Sequence, residues 1–367
     1  MQAFTDFDRT CMARALELAA YGLYTTTPNP RVGCVIAVDG AIIGEGFHEH
    51  AGGAHAEVKA LAHTRMQGRD AQGATMYVTL EPCNHHGRTP PCVDAIIAAR
   101  IGRVIAAMAD PNPEASAGAS RLQAAAITVE FGLCENQSRE LNAGFISRVT
   151  RARPWVRSKI AASLDGRTAL ISGTSQWITG VEARADGHAW RARACAILTG
   201  IGTVLHDDPQ LNVREVPTPR QPLRVIVDRH GQTPASARVL DDANVLIVTA
   251  GERNPAWTSH AEAIALPDPD GRVDLPGVLR ELAARGINEL HVEAGAKLNG
   301  ALLDAGLIDE LLLYVAPHAI GDPARGMFER GSVVTSLAQR LEFTWHDVAL
   351  VGPDLRLRAL LAAGSAS

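Results

Sequence analysis

One imidazole and two thiols in the first third of the chain, His55, Cys83 and Cys92, have the types needed to hold a metal. Three such donors suit zinc, and three protein ligands leave a fourth position open, the pattern of a catalytic rather than a structural site. Glu57 follows the imidazole by two residues. On a helix starting near His55, both side chains enter one pocket from its first turn. A water held on zinc has its pKa lowered to about 7, so Glu57 is placed to take its proton and pass it on. Read as structure only, the two cysteines are buried thiols and His55 caps a helix. Against that stands the coincidence of His-x-Glu, an apolar strand, Pro-Cys and a second Cys.

That order is the layout of the zinc base deaminases, in which the glutamate shuttles protons without binding the metal. The spacing departs from C-x-x-C: residues 84–91 separate Cys83 from Cys92, among them His85, His86 and Arg88. So long a loop must leave the metal and return, which makes it a wall of the substrate pocket. A guanidinium there, Arg88, favours an anionic substrate carrying phosphate.

The surrounding pattern supplies the elements that position these groups. Residues 11–21 carry Met12, Ala15, Leu16, Ala19 and Ala20 at helical spacing. Residues 25–30 form a loop, because each proline pushes its predecessor out of the helical region. Apolar runs at 34–38 and 41–44 flank Asp39-Gly40, a hairpin signal. A helix opens at His55, and a strand at 75–80 delivers Cys83. Pro91 suits the first turn of a helix through Val93, Ile96 and Ile97. Strands follow at 104–108 and 128–131. Alternating strands and helices predict a three-layer α/β/α domain with a mixed sheet. His48 follows the second hairpin strand, and Asp110 and Asn112 follow the strand at 104–108, where α/β sites collect. Beside proline, Asn29 and Asn112 read equally as turn caps.

The basic run at 148–154 reads as a solvated charge run or a short linker. A strand pattern resumes directly after it with Trp155, Val156, Ser158 and Ile160, which places a domain boundary there: residues 1–150 and residues 151–367. Apolar runs at 196–199, 225–227, 245–249, 290–292 and 311–316, with helical patterns at 278–285 and 298–305, predict a second α/β domain. From Val292 to Gly300 a strand runs through a glycine turn into a helix. Free N–H groups at such a start suit a pyrophosphate, although without a full G-x-G-x-x-G a plain strand–turn–helix is the stronger reading of the stretch by itself.

Length and composition set bounds. A chain of 367 residues accommodates two domains. A net charge of −5 and 4% aromatic residues argue against a nucleic-acid-editing deaminase, which needs a basic surface and stacking rings. Retention of Glu57 and of an open ligand position argues against a non-catalytic zinc module. No signal peptide and no membrane span are expected. Six cysteines are too few for a disulfide framework in a chain this long, so a cytoplasmic enzyme is expected.

The run TLEPCNHHGRTPPC at 79–92, with Thr27-Pro28-Asn29-Pro30-Arg31-Val32-Gly33 before it and Asp110-Pro111-Asn112-Pro113 after it, resembles the bifunctional deaminase–reductases of riboflavin biosynthesis. So do Ser163-Leu164-Asp165-Gly166-Arg167, Ser175-Gln176-Trp177-Ile178-Thr179, the stretch from Thr203 to Pro209, and Val292-Glu293-Ala294-Gly295. The resemblance implies a cytidine-deaminase-like domain followed by a dihydrofolate-reductase-like one. It implies zinc and NADPH as cofactors, a phosphorylated diaminopyrimidine as substrate, and a homo-oligomer. In the first domain it assigns substrate contacts to Asn29, His48, His85, Arg88, Asp110 and Asn112. In the second it assigns cofactor contacts to Ala161, Trp177, Thr203, Asp207, Gly295, Ala296, Lys297, Leu298, Asn299, Gly300 and Ala301. Substrate contacts there fall to Ser175, Arg191, Leu211, Arg214 and Glu293, the two arginines as a phosphate clamp. Lys159 is placed beside the ribose as proton donor or charge stabiliser; by spacing alone it is equally a strand-edge lysine. Trp177 alone would read as core, and Arg229 is a candidate for the cofactor 2′-phosphate. One departure follows Pro113: relatives carry a V-x-G-x-G turn, where this chain has the shorter Glu114-Ala115-Ser116-Ala117-Gly118-Ala119-Ser120.

Overall fold

The computed structural model describes residues 4–85, 90–242, 244–252, 254–257 and 261–362. The chain divides into two compact units, Met1–Ala152 and Arg153–Ser367.

The first unit begins with helix α1 (Asp6–Ala20), which starts earlier than apolar spacing alone predicts. Thr5 and Asp8 form a reciprocal capping box that fixes this start. Strands β1 (Gly33–Val38) and β2 (Ala41–Phe47) form the expected hairpin, with Asp39 and Gly40 both at positive φ. There follow α2 (Ala56–Met66), β3 (Thr75–Val78), α3 (Cys92–Ala98), β4 (Arg103–Ala106), α4 (Gly118–Ala124), β5 (Thr128–Phe131), α5 (Glu135–Leu141) and α6 (Ala143–Arg151). The sheet order is β2-β1-β3-β4-β5, with β1 antiparallel to both neighbours and β3, β4 and β5 parallel. Its two faces bury alternate residues. Cys34, Ile36, Met76, Val78 and Val104 pack with Ala60, Leu61, Ile96 and Leu122 from α2, α3 and α4. Val35, Tyr77 and Ile105 pack with Met12, Ala15 and Leu18 of α1. The three-layer mixed architecture is therefore as predicted. The basic run differs from expectation: Arg148 and Arg151 lie in the last turn of α6, a helix that buries Gly144, Phe145 and Ser147. A left-handed Ala152 ends that helix, two residues before Pro154.

The second unit comprises β6 (Trp155–Ser163), β7 (Arg167–Ala169), α7 (Val181–Arg193), β8 (Ala196–Gly200), α8 (Ile201–Asp207), β9 (Leu223–Val227), β10 (Val245–Thr249), β11 (Glu262–Ala265), α9 (Leu275–Ala284), β12 (Glu289–Val292), α10 (Ala296–Asp304), β13 (Glu310–Ala316), β14 (Arg325–Gly326), β15 (Phe343–Val351) and β16 (Asp354–Leu361). Nine strands form one sheet in the order β11-β10-β9-β8-β12-β6-β13-β16-β15. It is parallel from β11 to β13, and the terminal hairpin β15–β16 adds antiparallel to β13. Near the start of β6, Arg157 is fully buried between Glu289 of β12 and Glu310 of β13. Each charge is compensated across the central strands, the condition under which buried ions are tolerated. Among the described residues, no helix is long and apolar enough to cross a membrane.

Candidate active sites

In the first unit, His55 is the residue before α2 and Cys92 is the first residue of α3, while Cys83 follows β3. Three element ends thus converge. The His55 Nδ1 lies 3.2 Å from Cys92 Sγ and 3.4 Å from Cys83 Sγ. These donor atoms all lie within 4.8 Å of one another, and no other such cluster occurs among the described residues. One imidazole and two thiols converging on a point fit a tetrahedral zinc with its fourth position open. The Cys92 thiol beside Cys83 draws the latter's pKa down and is itself pushed up, so the pair sheds its first proton from Cys83. Glu57, in the first turn of α2, is 3% exposed. Burial, and then the Cys83 charge, raise its pKa to about 7.

A cavity of about 360 Å³ opens beside this cluster. Asn29, His48, His85, Asp110 and Asn112, all expected to contact substrate, line it; Arg88 lies outside the described residues. Asn29 Nδ2 sits 3.0 Å from His48 Nε2, and His48 Nδ1 sits 3.2 Å from the Ala54 carbonyl. Burial lowers the His48 pKa, which favours the neutral ring that can accept from the Asn29 amide. Asp110 Oδ1 accepts from the Asn112 N–H and Asn112 Oδ1 from the Glu114 N–H, so Asn112 caps a turn while also lining the cavity. Burial raises the Asp110 pKa to about 6.

Two features of this site were not assigned from sequence. Glu81 is 7% exposed and accepts from the Asp110 N–H at 3.1 Å and the Ala119 N–H at 2.9 Å, tying the cysteine loop to the altered turn. That turn closes on Pro82: a Cβ at Gly118 would lie 1.9 Å from the Pro82 carbonyl oxygen. Ala115 packs against Cys83 and Cys92. Phe145 and Arg148 of α6 also line the cavity. The loop bearing Asn29 is held to the same region by Asn142, whose side chain accepts from the Arg31 N–H and donates to the Arg31 carbonyl.

In the second unit, Lys159 of β6 lies with its ammonium 5.7 Å from the centre of the Tyr314 ring. Burial lowers its pKa, Arg191 adds to this, and Glu293 opposes it. Glu293 follows β12, and its two carboxylate oxygens accept from Nε and Nη2 of Arg191, at 2.5 and 2.8 Å. Burial works against the Glu293 carboxylate, but Arg191 and His291 outweigh it and hold the pKa well below the usual range. The third face of Arg191 donates to the Asn212 carbonyl, between Leu211 and Arg214. Arg191 is therefore a brace for Glu293 and the 211–214 loop as well as a candidate phosphate ligand. His188, one turn before Arg191 on α7, accepts from the Arg214 N–H at 3.3 Å. Periodicity alone left this histidine unassigned, because its partner comes from a distant loop.

The predicted cofactor residues gather at the C-terminal side of the parallel strands. Thr203 and Asp207 lie one turn apart on α8, after β8, and Gly295 precedes α10, after β12. Burial raises the Asp207 pKa. Within 295–301, Asn299 faces inward: it accepts from the Ser158 hydroxyl and donates to the Ala294 carbonyl. Gly300 faces the Glu329 carbonyl, 2.0 Å from where a Cβ would stand. Free N–H groups at the helix start, not these side chains, are what this stretch offers a pyrophosphate. Trp177 is 69% exposed, with the Arg184 guanidinium 4.4 Å from its ring centre. Ser175 is half-buried nearby in the chain, and Ala161 sits on β6 opposite Tyr314.

Comparison with known proteins agrees with these two sites. Residues 5–108 match the cytidine and deoxycytidylate deaminase zinc-binding region, and residues 154–356 match the RibD C-terminal domain. The riboflavin biosynthesis protein RibD of Escherichia coli is 46% identical over 95% of this chain and 98% of its own length. That of Aquifex aeolicus is 40% identical over 95% and 97%. Among solved structures, Acinetobacter baumannii RibD superposes with a TM-score of 0.89 at 44% identity, covering 97% of this chain and 99% of its own. A Thermotoga maritima protein described as a diaminohydroxyphosphoribosylaminopyrimidine deaminase/5-amino-6-(5-phosphoribosylamino)uracil reductase gives 0.88 at 36% identity, covering 97% and 99%. A converging His/Cys/Cys site ahead of a RibD C-terminal domain, with identity at this level along nearly the whole length, makes the chain a member of the RibD family of riboflavin biosynthesis proteins.

Proposed function

We propose that this chain carries out two successive steps of riboflavin biosynthesis. The first unit hydrolytically deaminates 2,5-diamino-6-(5-phosphoribosylamino)pyrimidin-4-one. The second reduces the ribosyl group of the product with NADPH, giving 5-amino-6-(5-phosphoribitylamino)uracil. The observation that carries the reading is the convergence of His55, Cys83 and Cys92 beside the buried Glu57 carboxylate.

Zinc, when bound by those three residues, supplies a Lewis acid and makes water a nucleophile at neutral pH. Glu57 moves the protons. A carboxyl held near pH 7 by burial accepts one from water and delivers it to the exocyclic nitrogen with little driving-force penalty, so that the nitrogen leaves as ammonia. Asn29 and His48 orient the ring, while His85, Asp110 and Asn112 close the pocket around it, and Arg88 reads the substrate phosphate. In the second unit NADPH supplies a hydride to C1′. Lys159, made a better proton donor by burial, protonates the sugar oxygen released as that carbon is reduced. Glu293 and Arg191 fix the lysine's surroundings, with Ser175, Leu211 and Arg214 on the substrate and Ala161, Trp177, Thr203, Asp207 and 295–301 on the cofactor.

The partner is a small phosphorylated pyrimidine. The protein works as a homo-oligomer, a reading supported by the edge strand β15, where Trp345, Val348 and Leu350 are 63%, 58% and 75% exposed. Its six cysteines, none of them in a disulfide, suit the reducing cytoplasm. The test of function is incubation with the diaminopyrimidine phosphate, with and without NADPH, followed by mass analysis. Without NADPH one nitrogen is exchanged for oxygen and ammonia appears; with it two hydrogens are added. Absence of the first product from zinc-loaded protein refutes the deaminase reading, and absence of the second refutes the reductase reading.

A further inference from the structure

We propose that Arg148, on α6, is a second phosphate-reading residue of the deaminase pocket. The inference rests on the deaminase reading above and adds to it a residue outside the motif-bearing loops.

The electrostatics of the cavity favour such a residue. Its lining carries the carboxyl groups of Glu57, Glu81 and Asp110, together with the Cys83 thiol. A phosphate entering among these groups meets like charge. Among the described lining residues, Arg148 is the one with a permanent positive charge. It is not a stray surface side chain. Phe145 lies three residues earlier on the same helix face and is buried, with its ring 5.8 Å from the Arg148 guanidinium carbon. The Arg148 Nη2 donates to the Pro28 carbonyl at 3.0 Å. These two contacts, ring and carbonyl, orient the guanidinium at the cavity wall.

The connection to Pro28 also sets its place relative to the substrate. Pro28 immediately precedes Asn29, whose amide meets His48 within the cavity. The ring-reading asparagine and the arginine thus meet through one loop, 28–30, which lines the cavity throughout. In the substrate the phosphate is joined to the pyrimidine through a ribosylamine. A ring seated against Asn29 and His48 therefore carries its phosphate on a tether within the same cavity. A guanidinium at the wall matches phosphate oxygens with two parallel N–H groups, and it is half-buried, so its charge is less screened than on an open surface.

A purely structural role for Arg148, holding Pro28 and hence Asn29, predicts a different signature, and kinetics separates the two. Full-length wild type, Arg148→Gln and Arg148→Lys are assayed for ammonia release with the phosphorylated diaminopyrimidine and with its dephosphorylated form. Loss of a charged hydrogen bond corresponds to roughly tenfold to a hundredfold. Arg148→Gln is expected to raise KM for the phosphorylated substrate by about that factor with kcat little changed, and to alter the dephosphorylated substrate by less than about threefold. Arg148→Lys restores part of the loss, because it keeps the charge without the fork. The zinc content and thermal melting of each variant, compared with wild type, report that the first unit is folded. If Arg148→Gln does not fold, the Lys variant alone still discriminates, through a loss confined to the phosphorylated substrate. Equal losses on both substrates, or no change in KM for the phosphorylated one, overturn the proposal while leaving the deaminase reading intact. No ammonia from wild type with either substrate overturns the deaminase reading itself, and the role of Arg148 with it.

Discussion

The substitution Glu81→Gln tests whether the pocket is assembled by the bond pattern seen between the cysteine loop and the turn at 110–119. One carboxylate oxygen of Glu81 accepts from the Asp110 N–H and the other from the Ala119 N–H. A carboxylate accepts at both oxygens; an amide accepts at one and donates at the other. The substituted amide therefore keeps one bond and points its NH₂ at the second N–H. A hydrogen bond to a charged group contributes about 1.5–3 kcal/mol. Both bonds are only partly buried, so one such loss is the appropriate scale. In a unit of this size it lowers the melting temperature by roughly 3–12 °C. The kinetic consequence is local. Asp110 and Asn112 lose their anchor, so ammonia release falls in kcat/KM, while NADPH-dependent reduction of the deaminated pyrimidine is unchanged. Scanning calorimetry of the full chain, with both assays on the same preparation, gives the comparison. An unchanged melting profile with full deaminase turnover would show that Pro82, Ala115 and Gly118 hold the turn without Glu81, and the positioning role would be wrong.

Glu57→Gln preserves volume and zinc but removes the proton carrier; ammonia release falls by about 10²–10⁴, the usual scale of acid–base assistance, and near-normal turnover with full zinc content contradicts the shuttle. Cys83→Ser strips or misplaces zinc and abolishes ammonia release, yet a folded variant still oxidises NADPH on supplied deaminated pyrimidine; Lys159→Ala shows the converse, accumulating the deaminated intermediate. If folded Cys83→Ser loses both activities while wild type has both, the two units do not work independently. His188 gives a pH prediction. Burial, with Arg191 and Arg214, lowers its pKa from 6.5 to about 4, so between those values the unfolded chain binds the extra proton and stability rises with pH. The contribution is fully present above pH 6.5 and is lost as pH falls towards 4. Urea unfolding of wild type and His188→Gln at pH 7 and pH 4.5 should show the variant losing less stability on acidification, and parallel losses would refute the assignment.

What was legible in the sequence was what a short stretch of chain determines by itself. His55 is the extended residue before α2 and Glu57 lies in its first turn, so a His-x-Glu at a helix start brings both groups to one end of that helix. Cys83 and Cys92 close one loop, so residue type and order nearly suffice to predict a metal site. Strands β1 and β2 were legible because Asp39-Gly40 accepts positive φ at both central positions. The capping box of Thr5 and Asp8 was equally present in the sequence, but apolar spacing drew attention to residues deeper in the helix.

What was not legible depends on partners far away in the chain. Arg148 appeared within a basic run, and a charge run ending in proline resembles a linker until the run is seen to end a helix that buries Phe145 beside it. Its neighbour Pro28 is 120 residues distant. Arg191 was expected as a phosphate clamp because guanidinium suits phosphate, yet its fork is already matched by Glu293, 102 residues on. The same logic governs the altered turn after Pro113. Judged by motif, it lacks the glycines of its relatives. In the fold, only Gly118 is needed, at the single point where the backbone meets Pro82, while Ala119 contributes an N–H rather than a side chain. A shortened turn can therefore seat Asp110 and Asn112 as long as it keeps that close approach and the Glu81 carboxylate beneath it. The pocket is specified by backbone groups and one buried acid, which motif matching does not weigh.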